Sequence, residues 1–179
     1  MLVGATVGAG AWFPRIAPRP IDVFGIMPVL LHPESRGTVR LSSADPRAPV
    51  RIQFNYLTAP ADIAGLREAL RLAREIGNQP ALDAFRDVEL RPGAKVTTDD
   101  EIDAYLRSSS GTVSHPVSTC RMGTDENCVL DSDLRVRGIE SLRVVDASAF
   151  PDLVSAHPNA AVFMLAEKAA DLIRGRSLS

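Results

Sequence analysis

At 179 residues the chain has room for one domain with a sizeable core and is too short for two large ones. Hydrophobic residues make up 45% and charged residues 23%, a globular balance that excludes a disordered tail. The 20 basic and 22 acidic residues are interspersed, which leaves no nucleic-acid stripe and no polybasic membrane anchor and points to small molecules or protein as partners.

The chain starts with an apolar run over 1–13 that has no basic flank, is broken by Gly4, Gly8 and Gly10, and is too short to cross a bilayer. It is read as a piece cut from a longer fold. Three prolines over 14–20 make that stretch irregular, so 1–20 is a partly apolar lead-in. Asp22 to Leu31 is a continuous apolar run, expected as a buried strand interrupted at Pro28.

Thr38–Ser42 and Val50–Phe54 alternate apolar and polar residues across a Ser/Asp/Pro loop, which predicts an antiparallel pair with one buried face. Thr58 is expected to cap a helix with Pro60 in its first turn and Asp62 complementing its dipole. Ile63, Leu66, Leu70, Ala73 and Ile76 form its stripe, and Gly77 and Asn78 end it. Pro80 opens a short turn. Thr98 and Glu101 form a capping box for a second helix with Ile102, Tyr105 and Leu106 facing inward.

From Gly111 the character changes to a polar loop punctuated by glycine and proline. Leu134–Gly138 and Leu142–Val145 read as short strands. Asn159 to about Arg174 reads as a helix with Pro158 at its start and Val162, Leu165, Ala169, Leu172 and Ile173 on its apolar face. The class is α+β: an antiparallel sheet backed by helices over 21–110, then a loop, strands and a final helix over 111–179.

Cys120 and Cys128 match neither a disulfide framework nor a CxxC site, and are expected as reduced, partly buried thiols in a cytoplasmic protein. No two of His32, His115 and His157 share a helical spacing, so no metal site is expected. No Gly-x-Ser-x-Gly elbow supports a serine nucleophile. His115 and His157 each precede a proline, which biases both to extended backbone at the edge of a regular element. On spacing alone a structural use of the two His-Pro dipeptides is the commoner one. The helix start at Pro158-Asn159-Ala160 offers free amides to an anionic group, as most helix starts do.

His115-Pro-Val-Ser-Thr-Cys-Arg-Met-Gly123, Leu142-Arg-Val-Val-Asp-Ala-Ser148, His157-Pro-Asn159 and Ala166-Glu-Lys-Ala-Ala-Asp-Leu-Ile173 occur in that order. Upstream stand Pro33-Glu-Ser-Arg-Gly37, Ser43-Ala-Asp-Pro-Arg47 and Asn55-Tyr-Leu57. Together these closely resemble the C-terminal region of the glucose–methanol–choline (GMC) oxidoreductase family over roughly residues 20–175, with its choline-dehydrogenase-like branch nearest.

The resemblance implies an FAD-dependent alcohol dehydrogenase or oxidase acting on CH–OH donors. His115 takes the role of base at the flavin face, and His157 hydrogen-bonds the same substrate oxygen. Asp146 and Ala147 correspond to a flavin-contacting strand end, and Asn159 and Ala160 to a helix start beneath the flavin ring. The final strand–loop–helix then belongs spatially with the flavin domain. Arg121 and Glu167 are each read as part of a structural salt bridge or a solvated face rather than as site residues.

Two departures stand out. Ser118 replaces a glycine usual in the family. No Gly-x-Gly-x-x-Gly fingerprint is present, since Gly8-Ala-Gly10 lacks the third glycine and its strand. The chain is therefore expected to be a fragment, inactive and flavin-free alone, whose partners are an alcohol substrate and a missing or separate N-terminal FAD-binding half. The alternative is a non-catalytic remnant that binds another protein through the uncovered surface.

Overall fold

Helix α1 (Pro60–Gly77) and helix α2 (Asp99–Ser109) pack by their apolar stripes in the computed structural model, which describes residues 23–176. Ile63 and Leu70 of α1 meet Ile102 and Leu106 of α2 and Leu57 in one buried cluster, with Leu66, Val96 and Tyr105 against it. Beside this contact the Arg67 guanidinium spans both oxygens of Asp103, at 2.7 Å each. The planar fork matches the carboxylate, so the pair sets the register of the two helices. The expected capping box starts α2: Glu101 N–H donates to Thr98 Oγ1 at 3.3 Å, and the Glu101 carboxylate accepts the Thr98 N–H at 2.9 Å.

The start of α1 differs from the expectation. Ala59, not Thr58, is the cap residue, and no side chain caps the turn. The Ala59 N–H instead donates to Ser35 Oγ at 3.0 Å. Asp62 does not face solvent; it is 2% exposed and accepts the N–H groups of Glu34 at 2.7 Å and Ser35 at 2.8 Å. A carboxylate at the positive end of a helix thus holds down an incoming loop.

Residues 23–31 form no strand. The segment runs along α1, with Leu30 Cδ1 3.5 Å from where a Gly65 Cβ would stand and Ile26 Cδ1 3.6 Å from that of Gly77. The segment finds a helix surface rather than a neighbouring strand, and Val23, Phe24 and Met27 stay exposed. These residues up to Ser35 and Leu57–Ser110 make one compact unit. The lead-in over 1–20 lies outside the described residues.

The second unit is Arg36–Tyr56 with the chain from Gly111 onward, so the hairpin groups with the segment beyond residue 110. Strands β1 (Thr38–Arg40) and β2 (Arg51–Gln53) pair antiparallel with Val39 opposite Ile52. Gly37 is required at the entry, because a Cβ there would lie 2.4 Å from the Gln53 carbonyl oxygen. The alternation is present, but its apolar face is not buried: Leu41 is 81% and Ile52 54% exposed, and Val39, Val50 and Phe54 are exposed too. Two three-residue strands have no second layer of their own to close over that face.

The core of this unit is Leu130, Leu134, Ala149, Phe150, Leu165 and Ala169. Helix α3 (Asn159–Ile173) contributes the last two, Val162 and Leu172 are half-buried, and Ile173 is exposed rather than part of the buried face. The strands expected over 134–138 and 142–145 shrink to single bridges, Leu130 with Val136 and Arg135 with Arg143. Leu134 and Ser141 adopt left-handed backbone, and Asp131 Oδ1 takes the N–H groups of Asp133 and Arg135 at 2.9 Å each. Those donors are lost to any longer ladder. The architecture remains α+β, and among the described residues no helix is long and apolar enough to cross a membrane.

Candidate active site

His115 is delivered by a loop that is laid against the turn following Val145. Ser118, Cys120 and Met122 donate their N–H groups to the carbonyls of Ala147, Ser148 and Ala149 at 3.4, 3.0 and 2.9 Å. Val117, two residues beyond His115, packs on the core that also holds Val162, five residues beyond His157. Pro116 and Pro158 restrict the backbone on the C-terminal side of each histidine. One core thereby anchors both histidine-bearing loops.

The result is direct contact between residues 42 positions apart: His115 Nε2 lies 2.7 Å from His157 Nδ1. The rings meet edge to face, with centroids 5.0 Å apart at 90°. One nitrogen must carry a proton and the other a lone pair, so the pair is a donor and an acceptor side by side. His115 is half-buried and His157 exposed, so both are reached from solvent.

Asp146 spends one carboxylate oxygen on the 3-10 turn Ala147–Ala149, accepting the Ser148 N–H at 2.7 Å and the Ser148 hydroxyl. Ala147 is tied to the His115 loop through its carbonyl. Asn159 and Ala160 are exposed in the first turn of α3, and Pro158 before them offers no side-chain cap. The first-turn amides of α3 are consequently left for another acceptor. His32 belongs to the other unit, and Glu167 is on the exposed side of α3.

Ser118 has φ 68°, the left-handed backbone in which glycine is at ease, and its buried hydroxyl has no hydrogen-bond partner among the described residues. Arg121 is structural: its guanidinium takes both oxygens of Asp125 at 2.8 and 2.7 Å. The same guanidinium donates to Cys128 Sγ at 2.8 Å, and the thiol donates to Asp125 at 3.1 Å. Arg121, followed by the Cys128 thiol, holds the Asp125 carboxyl well below the usual range, and burial followed by Asp125 pushes the thiol up. The four-residue spacing of Arg121 and Asp125 was the available signal for this cluster, but it lies in a loop, where helical spacing rules carry no weight. Both cysteines are free thiols, Cys128 buried and Cys120 half-buried. Among the described residues no group of three or more His, Cys, Asp or Glu could hold a metal ion.

A family model described as GMC oxidoreductase, for the C-terminal domain, matches residues 33–166. The oxygen-dependent choline dehydrogenase of Paraburkholderia xenovorans is 49% identical over 142 residues, covering 79% of this chain and 25% of the relative. That of Escherichia coli is 46% identical over the same length. Among solved structures, pyridoxine 4-oxidase from Mesorbium loti superposes with a TM-score of 0.77 at 36% identity, over 83% of this chain and 29% of that one. A fungal aryl-alcohol oxidase superposes with a TM-score of 0.73 at 39% identity, over 80% of this chain and 24% of that one. The chain thus spans about a quarter of the length of the curated relatives it matches.

Proposed function

Because the chain belongs to the GMC oxidoreductase family, we propose that it forms the C-terminal catalytic portion of an FAD-dependent oxidoreductase acting on CH–OH donors. The observation that carries this reading is the 2.7 Å contact between His115 Nε2 and His157 Nδ1. A substrate hydroxyl needs an acceptor for its proton and a donor for its oxygen. The pair already has that polarity, so N–H···N opens to N–H···O–H···N without moving a proton. Two ordinary hydrogen bonds around one oxygen place the nitrogens about 4.5 Å apart, so the rings part by roughly 2 Å to admit it.

His115 is the base. Its Nε2 takes the hydroxyl proton as the neighbouring C–H bond breaks and the hydrogen leaves with the electron pair. His157 donates its Nδ1–H to the same oxygen and stabilises the alkoxide charge that develops there. Bound FAD supplies the two-electron acceptor for that hydride. The uncapped first turn at Asn159 and Ala160 supports the fit, because an electron-rich ring edge suits free amides at the positive end of a helix. Asp146 and Ala147 form the turn proposed to face the same group. An alcohol substrate accords with the choline and aryl alcohol named for two relatives.

The partner of this portion is the FAD-binding part, carried in the same chain or a separate one. The exposed apolar residues Val39, Leu41, Ile52 and Phe54 offer a surface it could cover. A cytoplasmic location goes with the two free thiols, the state a reducing compartment maintains.

The test combines the chain with an FAD-binding N-terminal part from a relative and follows dye reduction by choline and aryl alcohols. His115→Ala should lower the rate by about 10²–10⁴-fold, and a loss smaller than about tenfold removes His115 as the base. The chain by itself should show no flavin absorbance and no turnover.

A further inference from the structure

We infer that His115 and His157 form a two-imidazole chelate for a borderline divalent cation such as Zn²⁺, Ni²⁺ or Cu²⁺. The two nitrogens that face each other at 2.7 Å are both metal-ligating atoms. Metal–imidazole bonds are about 2.0–2.1 Å long, so a right-angled or tetrahedral bite needs nitrogens about 2.9–3.3 Å apart. The facing nitrogens lie on the line between the ring centroids, so chelation needs the rings to part by only a few tenths of an ångström and each to turn by about 35–45° toward the metal. An inserted oxygen atom demands several times that parting.

Three other features favour the site. His157 is exposed and His115 half-buried, so a hydrated cation can approach and keep waters in its remaining positions. The loops are already held by the shared core through Val117 and Val162, so chelation orders little new backbone. The protons balance: in the neutral pair one facing nitrogen carries hydrogen, and on binding that hydrogen moves, through solvent, to the far nitrogen of the same ring. Both facing lone pairs then go to the metal, with no net proton released. Hard cations such as Mg²⁺ prefer oxygen ligands and should not bind here. Occupation would consume the lone pair that the proposed base needs, making the cation an inhibitor of alcohol oxidation.

The experiment is isothermal titration calorimetry of the untagged, reduced chain with Zn²⁺ and Ni²⁺, with Mg²⁺ as the control. One cation per chain is expected. His115→Gln and His157→Gln should each weaken binding by more than the roughly tenfold that loss of an outer-shell partner costs, and His32→Gln should leave it unchanged. Unchanged affinity in either site variant overturns the chelate, as does binding that depends on His32 or disappears in a Cys120→Ser, Cys128→Ser chain. Circular dichroism checks that the variants fold. Ring ¹⁵N shifts in the unmodified chain give an independent readout, since Zn²⁺ should move the signals of His115 and His157 and leave those of His32 in place. Neither readout uses flavin or turnover, so this site and the oxidoreductase reading fail separately.

Discussion

Arg121 and Asp125 are joined at two points, with guanidinium nitrogens 2.8 and 2.7 Å from the two carboxylate oxygens. With the Cys128 thiol sharing the same carboxylate, the pair pins the loop that carries the His115 motif. Asp125 is held below its ordinary value in the folded chain, so it stabilises the fold above the unfolded value, near pH 4, and that contribution is lost as pH falls. Asp131 shifts in the same direction, chiefly through the Arg135 N–H, and Asp103 does so through Arg67. Below about pH 4 the unfolded chain binds protons that the folded chain refuses, and melting temperature should drop steeply. Asp125→Asn should lower the melting temperature at pH 7 and flatten this acid dependence. An unchanged slope between about pH 5 and pH 3 would show that the pair contributes nothing.

The Cys128 thiol should resist modification. It is 4% exposed, and burial with the adjacent carboxylate disfavours the thiolate. Under native conditions iodoacetamide should alkylate Cys120 well before Cys128, as read by peptide mass spectrometry. The reverse order would mean that the loop opens readily.

Ser118 should tolerate glycine better than serine. Left-handed backbone strains an L-residue, and the buried hydroxyl has no partner among the described residues. Ser118→Gly relieves both and should raise unfolding free energy by about 1 kcal/mol in urea titrations. A loss of stability would reveal a partner for the hydroxyl.

Asp62 should be costly to remove. Truncation to alanine strands the N–H groups of Glu34 and Ser35 in a part-buried place and removes an anion from the start of α1. Asp62→Ala should cost about 2 kcal/mol or more, whereas Asp62→Asn keeps one acceptor and should cost less. Equal, small effects in both variants would assign the loop's order to other contacts.

Several of these features were legible in order along the chain. The stripe of Ile63, Leu66 and Leu70 and the Thr98–Glu101 box follow from periodicities within a few residues, and α1 and α2 appear where those patterns stand. Thr58 was misread as a cap because the helix begins one residue later, at Ala59, which has no side-chain cap and whose own N–H is held by Ser35 from outside the local sequence. Leu134–Gly138 failed as a continuous strand because Asp131 captures the N–H groups of Leu134 and Arg135, leaving Val136 and Arg137 to make the backbone bonds, a competition that β-propensity does not register. The alternation of the hairpin was read correctly, but burial of its face depends on what lies over it.

By itself, then, the sequence determined the order of helices and turns, because local periodicity and proline are written in neighbouring residues, and its resemblance to the GMC family singled out His115 and His157. Only the tertiary structure decided that these two imidazoles touch, that Asp62 turns inward and that Ser118 occupies a glycine-like backbone. Each of these depends on partners distant along the chain, or on backbone bent by them. The contact between His115 and His157 goes with Val117 and Val162, both half-buried, packing against one core, a meeting that no local pattern encodes.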